Sequence, residues 1–143
     1  MSARISPRLA AVVDALPLEP GLRVLEIGCG PGVAARAVAA RVGPGGFVLA
    51  TDRSARAVAQ AEAGSAAEIA AGVMRVRQVA AEDLALEPGE ARYDLAFAVR
   101  VGALDGRHPE AGRLARARLA DVLVPGGVLW VDTGDPLQAV PVG

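Results

Sequence analysis

Apolar residues fall in short dense runs set apart by glycine and proline, and the spacing inside the runs switches between two periods. Leu9, Val12, Val13 and Leu16 recur at the spacing of one helix face. With Ser6 as a fitting N-cap and Pro7 at the first helical position, they predict a helix over residues 6–16, ended by Pro17 and Pro20-Gly21. Residues 22–27 are an almost unbroken apolar run, as a strand covered on both faces requires. A helix over 31–42 follows, stopped by Gly43-Pro44-Gly45-Gly46. The second strand spans 47–51, with Asp52 at its C-terminal end. Residues 54–71 are helical in composition but interrupted by Gly64-Ser65, which leaves one bent helix and two short ones both open. Residues 73–79 alternate apolar positions with Arg75, Arg77 and Gln78, the pattern of a partly solvated edge strand. A loop with room for a helical turn covers 80–92 and is broken by Pro88-Gly89. A buried strand over 93–99, a long helix over 109–123 and a fifth strand over 128–131 complete the series. Residues 133–143 carry two prolines and no periodicity and read as a tail.

Strands alternating with helices predict an α/β fold, a doubly wound parallel sheet with right-handed crossovers and strand order 3-2-1-4-5. In such a sheet a ligand sits at the carboxyl ends of strands one and four, where the winding reverses. The length, 143 residues, suits one domain spanning 1–143, with a core from 22 to 132. About half of the residues are apolar, mostly Ala, Val and Leu, which favours close packing of helices on the sheet. Every apolar run is interrupted by Arg, Asp, Glu or Gly, so no membrane span is expected. Arg4 and Arg8 precede no long apolar stretch, so a secretory leader is not expected either, and a cytoplasmic location is. The net charge of −1 argues against a general nucleic-acid binder. Arg113, Arg116 and Arg118, interleaved with Leu114 and Leu119, form the solvated side of an amphipathic helix. Cys29 is the only cysteine, which rules out an intrachain disulfide and a cysteine metal cluster; no metal is expected, and Cys29 reads as a small filler.

The candidate chemistry starts where the first strand runs into Gly28-Cys29-Gly30-Pro31-Gly32. A turn without side chains lets a ligand approach the backbone, and the free N–H groups of the following helix point towards it. The glycines fall as G-x-G-x-G, not as the dinucleotide pattern G-x-G-x-x-G. Glu26 stands two residues ahead, at the end of a buried strand. A carboxylate there needs turn N–H groups, water or a cation, and in the plainer reading it only braces the turn. Asp52 ends the second strand about twenty residues beyond the glycines, where a carboxylate accepts hydrogen bonds from both hydroxyls of a ribose. It also competes with Ser54 to cap the next helix.

The pattern E-x-G-x-G-x-G at the end of a first strand resembles motif I of the class I S-adenosylmethionine-dependent methyltransferases, in particular the UbiE-like type. Three further segments extend the resemblance over residues 22–132. Val79-Ala80-Ala81-Glu82-Asp83-Leu84 is similar to the family's G-D-A-E-x-L segment, Tyr93-Asp94-Leu95-Ala96 to F-D-x-V, and residues 123–129 to the L-x-P-G-G-x-L turn. The resemblance implies a Rossmann-like core holding S-adenosylmethionine through Glu26, Gly28, Gly30, Gly32, Asp52, Ala80, Ala81, Glu82 and Val99. Glu26 would face the methionine ammonium, and the backbone at Val99 would pass near the sulfur and methyl group. Ala80 replaces the family's Asp or Asn, so the adenine edge is left to the Ala81 N–H and to Glu82. Tyr93 is expected in the core, and Asp94 is expected to cap the start of its strand.

The implied activity is methyl transfer to a small molecule by in-line displacement. Positioning dominates such a reaction, so no catalytic residue is assigned. For a hydroxyl acceptor the residues to test as base are Asp105 and His108, although His108 reads first as a cap or surface residue. The alternative is a non-catalytic or partner-dependent S-adenosylmethionine-binding module. A nicotinamide oxidoreductase is disfavoured by the glycine spacing and by the absence of any lysine for a Tyr-x-x-x-Lys pair. Relatives of this type continue past strand five with a helix and an antiparallel hairpin, which this chain is expected to lack. The edge at Trp130 is then expected to pair with a second copy as a homodimer or to lie under the tail.

Overall fold

In a computed structural model the chain is described over residues 4–142; residues 1–3 and 143, the extremes of the assigned domain and tail, lie outside that range. Helix α1 (Pro7–Ala15) is capped by Ser6, whose hydroxyl accepts from the Leu9 N–H at 3.2 Å. Then follow β1 (Arg23–Ile27), α2 (Val33–Val42), β2 (Phe47–Asp52), α3 (Ala55–Gly64), α4 (Ala66–Ala70) and β3 (Met74–Gln78). A single 3-10 turn (Ala81–Asp83) leads to β4 (Tyr93–Ala98), α5 (Pro109–Val122), β5 (Leu123–Val131) and β6 (Gln138–Val140). The sheet order is β3-β2-β1-β4-β5-β6, parallel through β5 as expected.

Three details differ from the sequence reading. The tail is not structureless: β6 runs antiparallel to β5, pairing Trp130 with Ala139, so the β5 edge is covered by the chain's own C-terminal segment. Strand β6 is one three-residue strand added to the edge of the parallel sheet. Strand β5 begins at Leu123 rather than Val128, and a register shift opposite Tyr93 and Leu95 takes up the Pro125-Gly126 turn, where Gly126 has φ +81°. Helix α2 begins two residues late because Gly32 sits at φ +86°, a left-handed conformation that cannot open a helix.

The interrupted helical run is two helices, and the cause is Arg36. Its guanidinium donates to the Ser65 hydroxyl at 3.0 Å and to the Pro31 carbonyl at 2.9 Å. A Cβ on Gly64 would lie 2.9 Å from the same guanidinium, so the break is where α2 locks into α3–α4.

Core residues alternate across the sheet with the strand period. Val24, Val48, Leu95 and Phe97 face α1 and α2, whereas Leu25, Leu49, Ala96 and Leu129 face α5. Glu26 shares the parity of Val24, which turns its carboxylate into the α1–α2 side. Asp94 accepts from the Arg23 N–H at 2.8 Å and fastens the starts of β1 and β4, its partner being a neighbouring strand where a neighbouring loop was expected, while Tyr93 is buried, as expected. No helix among the described residues is long and apolar enough to cross a membrane.

Candidate functional site

The glycine turn joins β1 to α2 at the carboxyl edge of the sheet. Gly28, Gly30 and Gly32 all have positive φ, at +75°, +53° and +86°. The Cys29 N–H bonds to the Thr51 carbonyl at 2.8 Å, and the Gly30 N–H bonds to Asp52 Oδ2 at 2.9 Å. Asp52 Oδ1 accepts from the Ser54 N–H at 2.9 Å, while the Ser54 hydroxyl accepts from Ala57 N and caps α3. The competition for the cap therefore goes to Ser54. Asp52 braces the glycine turn across two strands, and a carboxylate with about four acceptor positions keeps two for a ligand.

Two cavities open here and meet at Gly28 and Arg100, which line both. The larger, about 540 Å³, takes in Gly28, Asp52, Ala81 and Glu82. The smaller, about 260 Å³, takes in Glu26, Gly28, Gly30 and Val99, and Ser6, Arg8 and Leu9 of the α1 region cover it. Gly32 and Ala80 line neither: Gly32 packs against Arg36, Ala61 and Ser65, and Ala80 starts the 3-10 turn.

Glu26 is 2 % exposed, and its Oε1 is buried with no hydrogen-bond partner. Burial, and secondarily the nearby negative charge of Asp52, push its carboxyl up to about 8, although a hydrogen bond from the Ala35 backbone works the other way. An unpartnered acceptor of this kind, on the wall of a cavity, suits a cationic group.

Cys29 sits in the same field. Burial, then Glu26 and Asp52, raise its thiol to about 12. The thiolate is the reactive species, so iodoacetamide at pH 7.5 is expected to leave Cys29 unmodified in the folded chain and to alkylate it in urea. Mass spectrometry showing modification at equal rates in both states would contradict the buried placement.

The loop after β4 supplies residues that the sequence did not single out. Arg100, Val101, Gly102, Ala103 and Arg107 of this loop, with Ala111 of α5, line the larger cleft; the loop's position at the reversal of winding is the signal that marks it. Asp105 is not on that cleft. Its carboxylate is clasped by the Arg107 side chain at 2.9 and 3.0 Å, and this bonding holds it below the usual carboxylate range, which makes it a poor base. His108 occupies the N-cap position of α5 and is exposed, in line with the surface alternative of the expected cap or surface role, and its side chain makes no cap bond. Its ring lies over Gly102, where a Cβ would come within 2.5 Å of it, at the rim of the larger cleft. Among the described residues no group of acidic, histidine or cysteine side chains is placed to hold a metal ion.

The sequence matches the family model of a methyltransferase domain over residues 24–127. It is 35 % identical over 121 residues to nocamycin O-methyltransferase of Saccharothrix syringae, covering 85 % of this chain but 41 % of that protein. Among solved structures it resembles a SAM-dependent methyltransferase from Geobacter sulfurreducens in complex with S-adenosyl-L-homocysteine. The identity is 25 %, the TM-score 0.66, and the coverage 89 % of this chain and 48 % of that one. It also resembles the [4+2]-cyclase SpnF at 26 % identity and TM-score 0.69, over 86 % of this chain and 42 % of that one. The chain thus spans less than half the length of each of these relatives.

Proposed function

The chain belongs to the methyltransferase-domain family, and from that premise we propose that it binds S-adenosylmethionine and transfers its methyl group to a small molecule. The observation that carries this reading is the buried, unpartnered Oε1 of Glu26 on the smaller cavity. The orphaned acceptor matches the ammonium of the cofactor's methionine part, and the larger cleft has the donors and acceptors a nucleoside needs. Asp52 would accept from the ribose hydroxyls. The Ala81 N–H and Glu82 would meet the adenine edge in place of the side chain that Ala80 lacks. Gly28, at the junction, leaves room for the sulfur. When bound, this cofactor supplies a methyl group already activated on a sulfonium. The chain's own contribution is to fix orientation and exclude water, with α1 covering the methionine side.

Within the family, Glu-Ile-Gly-Cys-Gly-Pro-Gly at residues 26–32 supports the UbiE-like type. The curated relative's name supports a small-molecule acceptor and O-methylation, and the net charge of −1 gives no support to nucleic acid. A second reading is a chain that binds the cofactor without transferring its methyl or that works only with a partner; the likeness to a cyclase supports only the part that no methyl is transferred.

Calorimetric titration with S-adenosylhomocysteine tests the site. Asp52→Ala is expected to bind it roughly 10- to 100-fold more weakly than wild type, the scale of losing hydrogen bonds to a charged group. Equal affinity in a variant with an unchanged melting temperature would remove Asp52 from the site.

A further inference from the structure

Arg100 is the one non-glycine residue with positive φ among the described residues, at +59°. Such backbone strain persists only where the surroundings impose it. Here the imposition is visible: the Arg100 N–H donates to Asp132 Oδ2 at 3.2 Å, and its carbonyl accepts from the Arg107 guanidinium at 3.2 Å. The result is an exposed residue whose backbone is held where the two cavities and a third, more open one converge, since Arg100 lines all three. The neighbouring cations are already matched, Arg8 by Asp132 and Arg107 by Asp105. Among the described residues no hydrogen bond or ion pair involves the Arg100 guanidinium; both of its recorded bonds are made by its backbone.

An unmatched guanidinium at this junction is poorly placed for the proposed cofactor alone, because it would face a second cation, the sulfonium. A negative charge between the two removes the conflict. Asp105 is unsuited to deprotonate a neutral hydroxyl, as its carboxylate is clasped by Arg107. Taken with the cofactor reading, on which this rests, we propose that Arg100 binds an acceptor oxygen already anionic at neutral pH, a carboxylate or an acidic enol, beside the transferable methyl group. A lone pair of that oxygen forms the new C–O bond as the S–CH3 bond breaks, and the electron pair of that bond passes to sulfur. Sulfonium and oxyanion become a thioether and an ester or enol ether. No proton moves, so no general base is required.

The test compares affinities of S-adenosylmethionine and S-adenosylhomocysteine in wild type, Arg100→Gln and Arg100→Lys, with folding checked by circular dichroism. Neither replacement touches the backbone bonds that hold residue 100. Wild type and Arg100→Lys should favour the uncharged thioether over the sulfonium by roughly threefold to tenfold more than Arg100→Gln does, the range for like charges near a solvated surface. Benzoate and dimedone, a carboxylate and an acidic enol, should tighten S-adenosylmethionine binding in wild type but not in Arg100→Gln. Benzyl alcohol should do nothing. A response to only one of the two anions selects between the acceptor chemistries. Unchanged ratios together with no response to either anion would overturn the role of Arg100 and leave the cofactor assignment standing. Failure of wild type to bind either cofactor form would overturn both.

Discussion

Glu26→Gln is expected to make the chain more stable at alkaline pH while abolishing tight binding of S-adenosylmethionine. The folded-state carboxyl of Glu26 lies at about 8 against an ordinary value of 4.5. Between those values the folded chain holds a proton that the unfolded chain has released, so stability falls as pH rises through that window. Below about 4.5 both states are protonated and there is no penalty; above about 8 it is complete. At about 1.4 kcal/mol per pKa unit the full effect is on the order of 3–5 kcal/mol. Glutamine keeps the shape and carries no charge to desolvate, so urea midpoints at pH 5 and pH 9 should converge in the variant and diverge in wild type. A variant as pH-sensitive as wild type would place the slope on other groups. The same substitution leaves the methionine ammonium without a counter-charge in a buried cavity, and a loss of roughly 100-fold in affinity follows. The chain keeps a destabilising buried carboxyl group where a cationic ligand can use its ionised form.

Gly28→Ala is expected to cost more binding than any other single methyl in the turn. At φ +75° an alanine is strained by about 1–2 kcal/mol, and its Cβ would lie 2.6 Å from Val101 Cγ2. The new methyl stands at the junction of the two cavities and pushes against the loop that carries Arg100. Gly89→Ala is the matched control, because Gly89 has φ +81° and open space around its missing Cβ. Both variants should lower the melting temperature through backbone strain. Only Gly28→Ala should also weaken S-adenosylhomocysteine, by at least about tenfold, or 1.4 kcal/mol. Equal affinity in the two variants would mean that no ligand passes Gly28.

Much of this was legible in the sequence because the strongest signals are local. The apolar runs over residues 22–27 and 93–99, the cap at Ser6, and the proline and glycine stops mark strands alternating with helices, and that alternation implies the parallel order of five strands. Glu26 stood out as a charge in an apolar strand, and its buried, unpartnered oxygen is that signal carried through. Strand β6 was hidden because Gln138, Ala139 and Val140 have no period of their own; their order comes from pairing with Val131, Trp130 and Leu129. The break between α3 and α4 was visible at Gly64-Ser65, but its cause, Arg36, lies on another helix. The backbone conformation of Arg100 was invisible for a different reason. Nothing in an arginine's identity announces a positive φ, which arises here from bonds to Asp132 and Arg107 on separate segments.

The central claim is the identity of the cofactor, and titrating the wild-type chain in parallel with S-adenosylhomocysteine and with NADH tests it most directly. The glycine spacing, the Glu26 oxygen and the Asp52 carboxylate predict one molecule of S-adenosylhomocysteine bound per chain and no measurable heat with NADH. Saturable binding of NADH with none of S-adenosylhomocysteine would contradict it.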